Sequence, residues 1–392
     1  MSRAAFFELD LEGLRAWCAE RGMPAFAAGQ MARWVYERGV VDPAAMTDLS
    51  SAARRRVAEE MTFLQGRIAA HRSATDGTQK LLVAWPRNDA APAEADGGAG
   101  TGAGAEAGAA DAAGPRATPL SLAPGTPGGQ RAPAERETEC VMIPADGRRT
   151  ACISSQVGCP VGCRFCASGL GGLEGNLSRG RIVEQVWHLA RLPDVGRISH
   201  VVFMGMGEPL ANFSAVTDAI RTLHAPWGFG ISARRITVST VGLPAAIRRL
   251  CGFEIPVTLA LSLHAPNDAL RRSIIPWAEY STIAELLDAC QEWFRKTGRE
   301  ITLEYILLGG LNDRPEHAAE LGAVARTLRA NVNLIRYNEV AGLPYRRPST
   351  EDVHVFQEIL RQHGVNTHIR RSRGRDIAAA CGQLRHESRR AG

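Results

Sequence analysis

The sequence predicts an α/β fold, a partial (β/α)6 barrel of TIM type with a small helical N-terminal domain. From Ala151 onward, six apolar segments of strand length alternate with six segments of helical periodicity. Such alternation with short connections is typical of a parallel sheet. The strand segments are apolar throughout, as strands covered on both faces must be. A closed or partly closed barrel fits this pattern, and its chemistry is expected where the strands end.

The elements of the predicted barrel follow one another closely along the chain. Strands are expected at residues 151–157, 200–204, 235–240, 257–263, 301–308 and 333–337. Helices are expected at residues 181–192, 213–223, 244–251, 283–296, 316–328 and 351–363. Each strand therefore leads into a helix, which is the repeating unit of a parallel barrel.

The domain boundaries follow from composition and periodicity. Residues 1–70 have apolar side chains at helical spacing and are expected to form the helical N-terminal domain. Residues 71–88 and 136–150 each contain a strand candidate, and the two strands are expected to pair as an arm. Residues 89–135 are rich in Ala, Gly and Pro, so they are expected to be disordered and to loop out between these strands. The barrel and a C-terminal cysteine segment occupy residues 151–392.

Composition excludes several classes of protein. No run of 18 apolar residues is present, and the acidic, amphipathic N-terminus is unlike a signal peptide, so a cytoplasmic protein without membrane contact is expected. A net charge of +5 is mild and does not by itself establish a nucleic-acid partner. Nine cysteines in such a chain argue against a disulfide framework and favour metal binding or catalysis.

Three cysteines follow the first predicted strand at the spacing C-x3-C-x2-C: Cys159, Cys163 and Cys166. A structural zinc ion normally takes four ligands, and no fourth Cys or His lies nearby in the sequence. A [4Fe–4S] cluster held by three cysteines leaves one iron open to a small molecule. The spacing, with Phe165 before the last cysteine, resembles the radical S-adenosylmethionine superfamily. This resemblance implies a [4Fe–4S] cluster and S-adenosylmethionine, cleaved to methionine and a 5′-deoxyadenosyl radical.

Polar residues at successive strand ends are expected to contact S-adenosylmethionine. The segment MGMGEP at 204–209 resembles the GGEP-type loop of the superfamily, which implies that Gly207 and Glu208 contact the amino group. The other candidates at strand ends are Ser239, Ser262, Leu263, His264 and Asn338. Taken singly, each is more often a structural residue. As a set on successive strand ends, they indicate a ligand site.

The C-terminal segment AACGQL at 379–384 has two readings from chemistry alone. Cys381 is either a packing residue in a buried cap or a functional thiol. Together with CISSQVGC at 152–159, MGMGEP, and SLHAPND at 262–268, the segment resembles the RlmN/Cfr family of radical S-adenosylmethionine RNA methyltransferases. The resemblance covers nearly the whole chain outside the insertion.

The resemblance to this family implies a substrate and a set of roles. The target is carbon 2 of adenine, in adenosine 2503 of 23S ribosomal RNA and adenosine 37 of certain tRNAs. Cys381 accepts a methyl group and delivers its carbon, and Cys152 then attacks Cys381 to release the product as a disulfide forms. Glu139 is the candidate proton acceptor. A flavodoxin or ferredoxin as electron donor and a monomeric state are also expected.

Several alternatives stay open from the sequence. The nearest is methylation of adenine carbon 8, the Cfr-type activity that gives antibiotic resistance. Others are a non-catalytic metal-binding RNA-binding protein and a radical enzyme that acts on a protein or small molecule. Paired or clustered arginines are candidates for phosphate contact or simply exposed residues: Arg234, Arg235, Arg346, Arg347, Arg370, Arg371, Arg373 and Arg375.

Three features depart from the family pattern. Gly175 precedes Asn176 and Leu177 where an arginine is expected, and residues 334–339 lack the expected prolines. The third departure is the insertion at 89–135. None of them touches a cysteine, so the predicted mechanism stands, whereas the choice of RNA is open to change.

Overall fold

The N-terminal region is helical, as predicted, in a computed structural model that describes residues 3–87 and 135–384. Its elements are β1 (Ala4–Ala5), α1 (Leu11–Glu20), α2 (Phe26–Ala32), α3 (Ser51–Glu60) and β2 (Met61–Thr62). β1 pairs with β2 in parallel, which joins the two ends of the region. The Asp10 carboxylate accepts the Gly13 amide at 2.7 Å and begins α1, and Ser50 begins α3 in the same way.

The predicted arm has three antiparallel strands, β3 (Arg67–Ser73), β4 (Gln79–Pro86) and β5 (Glu135–Ala145). Leu81 lies opposite Cys140, so the predicted pairing across the insertion is confirmed. β3 was not predicted, and it begins inside the span assigned to helices. It was missed because its side chains are mostly exposed and show no buried face. The insertion lies outside the described residues except for Glu135, which opens β5 rather than belonging to a disordered segment.

The remaining strands are β6 (Arg148–Cys152), β7 (Gln156–Gly158), β8 (Leu173–Asn176), β9 (His200–Phe203), β10 (Ile236–Thr240), β11 (Thr258–Ser262), β12 (Ile301–Leu307), β13 (Ala330–Arg336) and β14 (Thr367–Arg370). The remaining helices are α4 (Arg179–Ala190), α5 (Phe213–His224), α6 (Pro244–Leu250), α7 (Asp268–Ile274), α8 (Ile283–Thr297), α9 (Pro315–Arg326) and α10 (Thr350–Gln362). Seven strands, β6 and β9 to β14, are parallel neighbours in one sheet. β3 and β14 are its two edges, so the barrel is partial, as predicted.

Two details of the barrel differ from the prediction. The first barrel strand is β6, which ends at Cys152; residues 156–158 instead form β7, which pairs with β8 in a separate hairpin. The chain leaves the sheet between them because the Ser155 amide bonds to the Met206 carbonyl at 2.9 Å. The seventh strand, β14, was missed because its sequence THIR lacks the apolar run of the other strands.

One hydrophobic core continues from the N-terminal region into the barrel. The rings of Phe7 and Trp187 are 6.5 Å apart, which places an N-terminal aromatic residue against α4. The buried Glu184 carboxylate on α4 accepts the amides of Gln65 and Gly66 at 3.0 and 2.7 Å. The N-terminal region therefore packs against α4 on the side of the barrel. Among the described helices, none combines the length and apolar character needed to cross a membrane.

Candidate active site

The C-terminal ends of the parallel strands surround a cavity of about 140 Å³. Nine of the thirteen predicted site residues line it: Cys159, Cys163, Cys166, Gly207, Glu208, Ser239, Ser262, His264 and Cys381. These residues come from five separate parts of the sequence. The fold therefore gathers the strand-end residues as the barrel prediction required.

The loop that carries the three cysteines begins at a sterically restricted glycine. Gly158 has φ +74°, and a Cβ at this position would lie 2.0 Å from the backbone oxygen of Gly172. The next residue, Cys159, donates its amide to the same oxygen at 2.9 Å. Glycine is therefore required where β7 turns into the cysteine loop.

Gly158→Ala is expected to abolish loading of an iron–sulfur cluster, because either the Gly172 backbone or the cysteine loop must move. Gly171→Ala is the matched control, since a Cβ there has no neighbour within 4 Å and its φ is not positive. The measurement is iron and sulfide bound per purified protein after anaerobic reconstitution. Wild-type loading in Gly158→Ala would contradict this account of the loop.

The three cysteines are half-buried, and their thiols lie close enough to affect one another. Burial raises the pKa of Cys159 to about 12, with Cys166 adding to the shift. Burial also raises the pKa of Cys163 well above its usual value, and both other thiols add to it. Burial raises the pKa of Cys166 as well. Three neighbouring thiolates need a strong local positive charge, which the irons of a cluster supply.

The arrangement of donors also separates a cluster from a single ion. Among residues 3–87 and 135–384, no three His, Cys, Asp or Glu side chains converge as ligands of one metal ion. In a cluster each thiolate binds a different iron, so the thiols surround a volume instead of a point. A structural zinc ion normally takes four ligands, whereas three thiols are enough for a cluster with one open iron, so the triad fits an iron–sulfur cluster better.

A buried cation lies beside the cysteine loop. Arg271 on α7 is 1% exposed and donates from Nε to the Leu263 carbonyl at 3.2 Å. Burial lowers its pKa to about 10, so it stays charged at neutral pH, and its charge opposes the raised pKa of Cys163. No sequence pattern indicated this contact, because α7 is short and was not predicted.

The glycines of the MGMGEP loop allow close packing. A Cβ on Gly205 would lie 2.7 Å from the backbone of Ile153, and Gly207 has φ +100°. Glu208 bridges two strand ends, since its carboxylate accepts the Leu210 and Val241 amides at 2.9 and 2.8 Å. Burial raises the pKa of Glu208 to about 7. The loop is thus rigid, and one buried carboxylate faces the cavity.

His264 presents a neutral ring to the cavity. Its Nδ1 accepts the Ile306 amide at 3.1 Å, which places the ring proton on Nε2. Burial, followed by the charge of Arg271, lowers the pKa of His264 to about 3. The backbone of His264 has φ +62°, an uncommon conformation for a side chain of this kind. Beside it, the hydroxyls of Ser239 and Ser262 are 3.2 Å apart.

Two predicted contacts of S-adenosylmethionine do not line the cavity. The Leu263 side chain is fully buried in the main core, since alternate residues of a strand point to opposite faces. Asn338 is buried and donates from Nδ2 to the Cys381 carbonyl at 3.3 Å. Asn338 therefore holds the cysteine-bearing segment, and only the backbone of Leu263 remains near the site.

The segment 374–384, here called the cysteine strap, crosses the mouth of the barrel. One end is tied to the β3–β4 turn, where the Asp76 carboxylate accepts the Gly374 amide at 3.1 Å. The other end is tied to the cysteine loop, where Ser168 donates to the Leu384 carbonyl at 2.7 Å. These bonds hold Cys381 at the cavity, although the residue itself remains exposed.

Cys381 lines the cavity, and the buried Cys152, which does not line it, lies close enough to Cys381 for the two thiols to affect each other. Burial raises the pKa of Cys152 to about 12, and the neighbouring Cys381 adds to this shift. The pKa of Cys381 is raised too, because its sulfur loses hydration at the cavity even though the residue as a whole is exposed. The charge of Arg370 on β14 opposes both shifts. The structure thus brings together two thiols that are far apart in the sequence and places one cation beside them.

Arg370, one of the candidate phosphate contacts, is half-buried at the cavity and takes part in an ion pair. Its Nη1 lies 3.4 Å from Oε2 of Glu304, and both residues line the cavity. Asn333 donates to the other oxygen of Glu304 at 3.0 Å. Glu304 was a missed site residue. The available signal was a carboxylate in an otherwise apolar strand, which needs a buried partner.

Some of the other candidate arginines form bonds within the protein and some are exposed, and Arg346 does both. Arg347 donates to the Tyr337 carbonyl at 2.8 Å, and Arg346 donates to the Gly309 carbonyl at 3.0 Å. Arg373 lies 3.9 Å from Asp76. The exposed members of the set are Arg234, Arg235, Arg346, Arg371 and Arg375.

Glu139 lies next to the cavity and does not line it. It is 3% exposed on β5, and its Oε1 is 2.7 Å from Nζ of Lys80. Its carbonyl accepts the Ser154 hydroxyl at 2.6 Å. The predicted proton acceptor is therefore a buried carboxylate in an ion pair.

A partial parallel barrel with three buried thiols at its mouth defines a radical S-adenosylmethionine enzyme. Residues 153–322 match the Radical SAM superfamily, and residues 5–63 match the ribosomal RNA large subunit methyltransferase N-terminal domain. Proteins described as probable dual-specificity RNA methyltransferase RlmN from Rhodopirellula baltica and Gloeobacter violaceus are each 41% identical. Each alignment covers 96% of this chain, and 89% and 94% of the two relatives respectively.

A crystal structure of a radical SAM methyltransferase from Sphaerobacter thermophilus has the same architecture. It superposes with a TM-score of 0.82 at 37% identity, over 97% of this chain and 99% of that one. The chain belongs to the RlmN family of radical S-adenosylmethionine methyltransferases. Enzymes of this superfamily use a [4Fe–4S] cluster and S-adenosylmethionine, and the buried thiol triad fits such a cluster.

Proposed function

We propose that this protein methylates carbon 2 of adenine in RNA through a methyl group carried on Cys381. The proposed substrates are adenosine 2503 of 23S ribosomal RNA and adenosine 37 of certain tRNAs. The observation that carries the proposal is the proximity of Cys152 to Cys381, which lines the same cavity as the three loop cysteines. The relatives described as dual-specificity RNA methyltransferases support two kinds of RNA target, and the match to a ribosomal RNA large subunit methyltransferase domain supports ribosomal RNA as one of them.

The chemistry of the target explains a need for more than three cysteines. Carbon 2 of adenine is an electron-poor sp² carbon, so it does not attack the methyl group of S-adenosylmethionine as a nucleophile. A thiolate does so readily. Cys381, exposed at the cavity mouth, is placed to accept the methyl group first and to carry its carbon to the base.

Cys159, Cys163 and Cys166 hold the cluster in this proposal. When bound, the cluster supplies the electron that cleaves S-adenosylmethionine to methionine and a 5′-deoxyadenosyl radical, and it accepts the electron that leaves when the modified ring becomes aromatic again. Gly207, Glu208, Ser239, Ser262 and His264 line the place where S-adenosylmethionine is contacted. Leu263 contributes through its backbone, and Asn338 acts by holding the strap.

The carbon on Cys381 reaches the base as a methylene radical, formed when the 5′-deoxyadenosyl radical takes one hydrogen atom from the S-methyl group. Addition to carbon 2 joins enzyme and RNA through a thioether. Glu139 then takes the proton from carbon 2, so that the ring becomes aromatic again. The Cys152 thiolate attacks Sγ of Cys381, the carbon–sulfur bond breaks, and the departing carbon takes up a proton to become the methyl group.

Arg370 favours both thiolates in this sequence of steps. Its charge opposes the raised pKa of each thiol, and Glu304 holds it at the cavity.

The disulfide that closes the cycle needs two electrons from outside. We propose an electron donor of the flavodoxin or ferredoxin type and a monomeric enzyme.

The test is mass spectrometry of nucleosides from 23S ribosomal RNA and tRNA of cells with and without the gene. Complementation with the wild type is expected to restore 2-methyladenosine in both RNAs, whereas Cys381→Ala restores none. Cys251→Ala is the matched control, because this half-buried cysteine lies outside the cavity lining. Restoration of 8-methyladenosine instead would overturn carbon 2 as the target, and restoration in ribosomal RNA alone would remove tRNA from the proposal.

A further inference from the structure

A buried ion pair adjoins the proposed site, and its cation has no role in the steps above. Lys80 on β4 places Nζ 2.7 Å from Oε1 of Glu139, and the two side chains are 5% and 4% exposed. The same ammonium donates to the carbonyl of Ala378 at 3.1 Å. Ala378 lies three residues before Cys381 in the cysteine strap. One cation therefore joins the proposed proton acceptor to the segment that carries the reacting sulfur.

The strand register places these groups on one face of the sheet. Lys80 lies opposite Val141, and Leu82 lies opposite Glu139. Because alternate residues of a strand share a face, Lys80, Glu139 and Val141 point to the same side. Val141 packs there with Cys152 and with Ala379 of the strap. The ion pair and the two proposed reactive cysteines thus belong to one side of the sheet.

The position calls for an ammonium in particular. Lys80 and Lys296 are the two lysines among 46 basic residues in this chain. An ammonium is a compact charge whose three donors point in different directions, whereas a guanidinium is a planar fork. Lys80 uses this freedom to bond a carboxylate and a backbone carbonyl that belong to different segments.

The contact with the strap falls on an unusual backbone conformation. Ala378 has φ 50° and ψ 44°, in the left-handed region that alanine rarely adopts. Such a conformation persists when its surroundings hold it. The bond from Lys80 to the Ala378 carbonyl is one such restraint.

We propose that Lys80 is a positioning residue for the proton-abstraction step. It keeps the buried Glu139 carboxylate charged and holds it in a fixed place relative to the thioether on Cys381. Burial alone disfavours a charged carboxylate, and an adjacent ammonium reverses this preference. This inference rests on the proposed function, in which Glu139 takes the proton from adenine carbon 2.

Other charged or titratable groups lie near Glu139. Arg72 on β3 lines a cavity of about 30 Å³ together with Lys80 and Glu139. The Cys140 thiol, on the next residue of β5, points to the opposite face of the sheet; burial raises its pKa, and Cys152 and Glu139 add to the rise. The experiment therefore varies Lys80 while these groups stay in place.

The experiment is a single turnover of holoenzyme, already methylated on Cys381, with a 23S ribosomal RNA fragment. Three quantities are measured: S-methylation of Cys381, the covalent enzyme–RNA adduct, and released 2-methyladenosine. For Lys80→Met we expect S-methylation and adduct formation within about two-fold of wild type, but release slowed roughly ten-fold or more. The pH of half-maximal release is expected to rise by about one unit or more. Lys80→Arg, which keeps the charge, is expected to recover part of the release rate.

Lys296→Met is the matched control, because Lys296 is an exposed lysine paired with Glu292 on α8. A double-variant cycle separates positioning from folding. Glu139→Gln removes the charge that Lys80 pairs with, so adding Lys80→Met leaves no unpaired buried charge. If Lys80 acts through Glu139, adding Lys80→Met to Glu139→Gln changes release by less than about two-fold.

The proposal is overturned if Lys80→Met releases product at the wild-type rate. It is equally overturned if Lys80→Met slows release to the same extent with and without Glu139→Gln. A loss of Cys381 S-methylation that matches the loss of release would show a purely structural role for Lys80. Absence of S-methylated Cys381 or of 2-methyladenosine from the wild type would instead overturn the proposed function itself.

Discussion

Cys152→Ala is expected to trap the enzyme on its RNA as a stable covalent adduct. In the proposed sequence Cys381 is joined to adenine by a thioether, and Cys152 supplies the thiolate that breaks this bond. Without Cys152 the earlier steps proceed and the last one stops. Turnover is expected to fall by about 100-fold or more, because no other nucleophile replaces the missing thiolate.

The adduct is measured on denaturing gels with labelled RNA, as a band that contains one enzyme and one RNA. Cys381→Ala and the double variant are expected to form no such band. Cys140→Ala is the matched control. Cys140 is a buried neighbour on β5 that packs in the main core, whereas Cys152 packs with Val141 and Ala379 on the other face of the sheet. Release of methylated RNA by Cys152→Ala at the wild-type rate would contradict the resolving role.

Cys163→Ala is expected to remove the cluster and all methylation while the protein stays folded. Cys163 is a half-buried member of the thiol triad, and its pKa is raised by burial and by both other cysteines. The variant keeps only the thiolates of Cys159 and Cys166, and two thiolates are too few to hold a cluster that binds through three. The main core lies elsewhere, so stability should change little in the cluster-free protein.

The measurements are iron and sulfide per protein, visible absorption and Cys381 S-methylation. The iron bound per Cys163→Ala protein is expected to fall to the level of a protein that has no cluster-binding site. Cys290→Ala serves as the control, because Cys290 is a buried cysteine of α8 in the main core. A Cys163→Ala protein that retains iron and methylates RNA would contradict the assignment of the triad.

Much of the fold could be predicted from the local pattern of apolar residues in the sequence. The six predicted strands and their helices lie within a few residues of the observed ones, apart from the first strand, because a strand or helix of this kind is encoded in its own periodicity. β14 and β3 were missed for the opposite reason. Their side chains do not form an apolar run, and only pairing at the sheet edges defines them.

The candidate site could be predicted from the sequence to a similar extent. Spacing identified the three loop cysteines, and strand ends identified Ser239, Ser262 and His264. The positions of the Leu263 and Asn338 side chains could not be predicted, because a position at a strand end does not say which way a side chain points. Neither side chain lines the cavity, and Asn338 bonds the strap, 43 residues further along the chain.

The sequence by itself determined the order of the βα units, the cysteine spacing and the motifs that mark the family. These are local properties, since a few neighbouring residues contain each of them. Only the tertiary structure decided which buried charges meet. Arg370 pairs with Glu304 across 66 residues, and Lys80 reaches Ala378 across 298. Such contacts depend on packing of distant segments in a low-dielectric interior, where an unpaired charge is costly, and no local pattern specifies the partner.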